Sequence, residues 1–219
     1  MPLPPRLPGA FEVCDTVELG AEWRDAKGAI IALHGRDRPV GELTNLLSLH
    51  LDMSSWRIVA PTATGNSWYP GRYNDDPTLN AAGRNAGFVQ IETAIYRCRQ
   101  NSGPDCAIVL VGFSQGGCLV AEYLLSDKIR PGAAAIFTGA VNVPVSRSVF
   151  CRDICVLLTG GTNDPWLPLP DLQTTAEELA LAGASVRVET FPDDEHKVRV
   201  RELELLQEIC EELVAKRVD

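Results

Sequence analysis

Along the chain, short runs of uninterrupted apolar residues alternate with longer stretches whose apolar positions recur every three or four residues. The short runs fall at 29–33, 57–60, 107–111, 133–137, 154–158 and 186–190. Most are continuous rather than alternating, which is the pattern of strands covered on both faces. An earlier stretch differs: Phe11, Val13, Val17 and Leu19 fall on one side at period two, which predicts an edge strand or a hairpin arm. Between the runs, Phe88, Ile91, Ile95 and Cys98 share one helical face. So do Leu172, Ala176 and Leu179, and later Leu203, Leu206, Cys210 and Leu213. Pro170 and Asp171 suit a helix start, and Gly183 suits that helix's end. The repeated β-α order predicts an α/β fold, a mostly parallel central sheet with helices on both faces. Residues 61–80 interrupt the rhythm. They are rich in Gly, Asn, Pro and Asp, and read as one long irregular loop of the kind that covers a site.

Length and charge narrow the picture. A chain of 219 residues without internal repeat or linker reads as a single domain over 1–219. Its formal net charge of -9 disfavours nucleic acid and anionic membrane as partners. The seven cysteines are odd in number and form no C-x-x-C pair. They read as buried thiols of a reducing compartment. His34, His50 and His196 are too scattered for a metal site, and none is expected. The opening MPLPPRLPG lacks the apolar stretch of a signal peptide, and no run approaches bilayer length. A cytoplasmic protein without stable membrane insertion is the expectation. Oligomeric state stays open, a homodimer included.

The strongest chemical signal is CAIVLVGFSQGG at 106–117, an apolar run leading into Gly112-Phe113-Ser114-Gln115-Gly116 and then a helical pattern. A G-x-S-x-G between strand and helix holds a serine hydroxyl exposed on a tight, strained turn. Glycines are needed because side chains there would strike neighbouring backbone. Serine requires a base to become nucleophilic. In chain order serine, acid, histidine, His196 is the one histidine after Ser114, and it sits between the last strand and the last helix. Asp164 is the carboxylate of the loop after the 154–158 run, suited to orienting the imidazole. Asp193, Asp194 and Glu195 adjoin His196 too closely in sequence for a straight hydrogen bond, and read as solvated loop charges. Two backbone N–H groups, from Gln115 and from Arg36 in the loop after 29–33, would form the oxyanion hole. His34 precedes the serine and reads as a scaffold residue. In the 61–80 segment, Trp68 and Tyr69 either fill a gap beneath the loop or wall an acyl pocket, with Arg72 meeting a polar or anionic substrate end.

Leu33-His34-Gly35, Gly112 to Gly117, Thr138-Gly139, Gly161-Thr162-Asn163-Asp164-Pro165 and His196 together resemble the phospholipase/carboxylesterase family, which includes bacterial carboxylesterases and acyl-protein thioesterases. The resemblance implies the α/β-hydrolase fold with minimal or no cap. It also implies Ser114, Asp164 and His196 as triad, Arg36 and Gln115 as oxyanion donors, and no cofactor. Where family members carry small residues after His-Gly, this chain has Arg36-Asp37-Arg38. The expected activity is hydrolysis of small to medium carboxylic esters through an acyl-enzyme. Thioester, lysophospholipid and lactone substrates stay open. A non-catalytic ligand-binding protein on the same fold is the alternative of another class.

Overall fold

Burial on both faces turns the continuous apolar runs into strands, and in the computed structural model these form one seven-stranded sheet. The structure describes residues 13–141 and 151–216. The strands are β1 (Val13–Gly20), β2 (Gly28–Leu33), β3 (Trp56–Ala63), β4 (Ala107–Phe113), β5 (Ala133–Phe137), β6 (Cys155–Gly161) and β7 (Ser185–Phe191). Their order is β1-β3-β2-β4-β5-β6-β7, with β1 antiparallel to β3 and the other neighbours parallel. Every residue of β2, β4 and β5 is buried. At the far edge, β7 leaves none of its residues buried, as its alternating sequence SVRVETF requires. The predicted edge strand is β1, and its Val17 and Leu19 pack against the core. Phe11 and the segment MPLPPRLPG lie outside the described residues.

Helices α1 (Val40–His50), α2 (Pro77–Ser102), α3 (Gln115–Leu124), α4 (Leu169–Leu181) and α5 (Val200–Ala215) cover the sheet. Phe88, Ile91 and Ile95 of α2, Leu119 of α3, and Leu172 and Leu179 of α4 build the core on one face. Leu43 and Leu47 of α1 with Leu203, Leu206 and Cys210 of α5 build the other. Each buried Leu, Ile or Phe contributes about 1.5–3 kcal/mol, so the two faces, not helix propensity, fix these helices. No helix among the described residues is long and apolar enough to cross a membrane.

The expected loop over 61–80 is shorter in fact. β3 continues through Ala63 because β1 pairs with it there, Thr16 opposite Pro61 and Val13 opposite Ala63. A 3₁₀ turn over Thr64–Asn66 follows. α2 already starts at Pro77, where Asp76 accepts a hydrogen bond from the Thr78 N–H and proline occupies the first turn. Residues 67–76 remain irregular. They leave β3 at the carboxyl end of the sheet. Successive strands fall on opposite sides of β2, β3 to one side and β4 to the other, and that reversal opens a crevice above the carboxyl ends of β2 and β4.

Candidate active site

Ser114 stands in that crevice, between β4 and α3. Its φ of 54° and ψ of -118° are strained for a residue with a side chain. Dense packing holds it there. A Cβ on Gly112 would overlap the Gly116 carbonyl, and one on Gly116 would overlap the carbonyl of Leu33 in the adjacent strand. The Ser114 N–H donates to the Phe137 carbonyl at 2.9 Å, and its own carbonyl accepts from the Cys118 N–H at 2.8 Å. The strain is therefore locked by β2, β5 and α3 together.

The loops after β6 and β7 bring Asp164 and His196 to the serine. His196 Nε2 lies 2.8 Å from Ser114 Oγ, and His196 Nδ1 lies 2.7 Å from Asp164 Oδ2. Asp164 is 4% exposed, and its other oxygen accepts from the N–H groups of Trp166 at 2.8 Å and Leu167 at 3.3 Å. Those backbone donors keep the carboxylate aimed at the ring. The histidine loop is fastened by Arg199, which sequence reasoning missed. Its guanidinium ion-pairs with Asp193 and donates to the carbonyls of Glu195 at 2.7 Å and Lys197 at 3.1 Å, the two residues flanking His196. Asp193 is thus an anchor and not a free solvated charge. Glu202 accepts from the Arg199 N–H and from the Thr159 hydroxyl, tying the loop to β6. The signal was present as Glu202 three residues into a helix pattern after Arg199.

Gln115, the first residue of α3, and Arg36, in the loop after β2, flank Ser114. Gln115 opens α3, so its N–H is among those a helix leaves without an intrahelical acceptor. Among the described residues, the Arg36 N–H makes no main-chain bond, although its neighbours Asp37 and Arg38 do. Their side chains do something the sequence did not reveal. Gln115 accepts from the Trp68 N–H at 2.9 Å and donates to the Tyr69 carbonyl at 2.7 Å. The Arg36 guanidinium donates to the carbonyls of Pro70 and Gly71. Both residues therefore strap the 67–76 loop over the crevice. His34 acts as a scaffold, with Nδ1 against the Gly35 carbonyl at 2.8 Å and Nε2 accepting from the Ala63 N–H at 3.1 Å. Burial holds its pKa down, so the neutral tautomer with a proton on Nδ1 suits both bonds.

Beside Ser114 lies a cavity of about 530 Å³, ample for a compact organic ligand. Tyr69, Arg72, Tyr73, Thr138, Trp166 and Leu167 are among its walls. Trp68 is not. It is 2% exposed, stacks near His34, and donates its indole N–H to the His34 carbonyl at 2.8 Å. It fills the gap beneath the loop, because its N–H finds a partner there. Trp166 was not singled out from sequence. Behind the wall, burial raises the Glu122 carboxyl to about 7 against the pull of Arg84 at 3.6 Å, and pushes the Cys118 thiol up to about 12. No group of His, Cys, Asp and Glu among the described residues could hold a metal ion.

A mostly parallel sheet covered on both faces, with a serine on a strand–helix elbow, is the architecture of the α/β hydrolases. The profile of the phospholipase/carboxylesterase family matches residues 58–213, and the chain belongs to that family of hydrolases. Among solved structures, a phospholipase/carboxylesterase from Dyadobacter fermentans is 24% identical, with a TM-score of 0.80 over 90% of this chain and 96% of that one. A carboxylesterase from Mesorhizobium loti is 18% identical, with a TM-score of 0.73 over 93% and 99%. The Bacillus cereus carboxylesterase is 15% identical, with a TM-score of 0.71 over 93% and 95%.

Proposed function

We propose that the protein is a serine carboxylic-ester hydrolase acting on small to medium esters, with Ser114 as nucleophile, His196 as base and Asp164 as orienting acid. The observation that carries this reading is the continuous hydrogen-bond chain from Asp164 through His196 to Ser114, at 2.7 and 2.8 Å, ending on a strained elbow. Ser114 Oγ attacks the ester carbonyl carbon while its proton passes to His196 Nε2. The carbonyl oxygen becomes an oxyanion held by the N–H groups of Gln115 and Arg36. The tetrahedral adduct collapses by breaking its bond to the alcohol oxygen, which takes the proton from His196. Water then gives its proton to His196, attacks the acyl-enzyme and releases the acid, and the proton returns to Ser114. Asp164 keeps the Nδ1 proton in place and stabilises the imidazolium.

Tyr69 and Arg72 belong to the substrate-binding wall in this reading. One domain and a cytoplasmic setting complete it, supported by a single sheet and by the free thiols of Cys98, Cys106, Cys118, Cys151, Cys155 and Cys210. A fluorophosphonate probe is expected to label the wild type and leave Ser114→Ala unlabelled, with hydrolysis of short methyl esters lost in parallel. Labelling that persists in Ser114→Ala sinks the assignment.

A further inference from the structure

We infer that this site selects esters whose acyl part ends in a carboxylate, and that Arg72, laid over Trp166 at the cavity wall, is the anion-binding residue. The inference rests on the hydrolase reading above for its reaction, but on separate observations for its ligand. Three arginines and one carboxylate line the large cavity: Arg36, Arg38, Arg72 and Asp37. That is a positive mouth on a chain of net charge -9. Two of the three arginines are committed. Arg36 holds the Pro70 and Gly71 carbonyls, and Arg38 pairs with Glu42 at 3.3 Å. Among the described residues, Arg72 has no carboxylate against its guanidinium. Asp75, its near neighbour, is taken by the Arg72 backbone N–H at 2.7 Å.

The guanidinium instead lies over the Trp166 ring, 5.2 Å from its centre. Trp166 is 59% exposed, so its ring face is open to the guanidinium at the cavity wall. An indole beneath a guanidinium orients its plane while leaving its N–H edge free. That edge is the one that binds a carboxylate through two parallel hydrogen bonds. The backbone of Trp166 is fixed in turn by its main-chain N–H on Asp164, so the platform is built on the same loop as the acid.

A second cavity of about 180 Å³ assigns the carboxylate to the acyl side. It adjoins the first through Arg38, Phe113 and His196, and Leu43, Leu46 and Lys197 help to line it. His196 borders both cavities, but its neighbours Lys197 and Val198 line only the second, so the alcohol that His196 must protonate is placed toward that one. The acyl chain then occupies the larger cavity, toward Arg72.

The test compares monomethyl adipate with methyl hexanoate, and adds calorimetric binding of adipate itself. The wild type is expected to favour the adipate monoester by about tenfold or more in kcat/KM at low salt, chiefly through KM, with the preference shrinking as salt rises. Arg72→Ala and Arg72→Gln should bring the ratio near unity, Arg72→Lys should recover part of it, and Trp166→Leu should reduce it by about threefold. Adipate binding should weaken by about tenfold in Arg72→Ala. If the wild type treats both esters alike, or Arg72→Ala lowers both equally, the inference is overturned. Adipate binding that ignores Arg72→Ala overturns it as well. If neither ester is hydrolysed while adipate binds through Arg72, the anion site stands and the hydrolase reading falls.

Discussion

The two halves of the site are held in place by different physics. Ser114 is positioned by backbone close packing: glycines without room for a Cβ, a positive φ, and main-chain bonds to β5 and within α3. His196 is positioned by side-chain polarity: Asp164 on the ring, and Arg199 with Asp193 and Glu202 on the loop. Packing cannot be retuned in small steps, because overlap rises steeply with distance. A polar network can be weakened one partner at a time. The Ser114 side should therefore fail all at once, and the His196 side by degrees.

The sharpest way to break that contrast is Gly116→Ala. The added methyl would meet the Leu33 and His34 carbonyls, which are backbone and cannot swing aside. A loss of more than about 4 kcal/mol, seen as lost soluble yield or a collapsed melting temperature, is expected. A folded, active Gly116→Ala protein would show that the elbow is softer than its packing implies. Next comes the pair Asp164→Asn and Asp193→Asn. The first should cut kcat by roughly 10²–10⁴ with the fold kept. The second should cost about tenfold in kcat with a modest fall in stability, because Arg199 keeps its Glu202 and carbonyl partners and Asp193 is partly solvated. If Asp193→Asn is the worse of the two, anchoring matters more than ring contact.

The smallest effect concerns a buried carboxylate on each half. Glu202 has several donors, whereas one Glu122 oxygen lacks any hydrogen bond and faces Arg84 at 3.6 Å. Burial raises the Glu122 carboxyl from 4.5 to about 7 in the folded protein. The folded state then holds a proton the unfolded state releases, so this contribution is full below about pH 4.5 and is lost as pH rises through about 7. Roughly 3 kcal/mol is at stake, the opposing pull of Arg84 being already part of that raised value. Urea melts at pH 5 and pH 8 should show a decline in the wild type that is reduced in Glu122→Gln. An equal decline in both proteins assigns it elsewhere.

What could be read in the sequence follows the same division. Strands buried on both faces must be apolar throughout, so β2, β4 and β5 announce themselves. The residues Ser114, Asp164 and His196, picked by motif, chain order and loop position, do meet in space. Arg199 escaped because Asp193 to Arg199 is a run dense in charge, and nothing local tells a solvated arginine from one folded back over its own loop. Trp68 stayed undecided for a related reason. An aromatic on a loop carries no period, and only the carbonyl of His34 decides which way its indole turns. The end of β3 was lost because its last residues are held by β1, Pro61 by Thr16 and Ala63 by Val13, and no local pattern records so distant a pairing.

The straps from Gln115 and Arg36 bear on how freely the cover over the crevice could be exchanged. A designer grafting another loop in place of 67–76 would have to reproduce the backbone path that sets the Trp68 N–H and the Tyr69, Pro70 and Gly71 carbonyls against these two side chains. Otherwise Gln115 would be left with a buried, unsatisfied amide next to the serine. The cover is thus not a modular cassette. A successful transplant would carry residues 36 and 115 with it as one inherited unit, so lineages of this protein that change the cover should change both positions together.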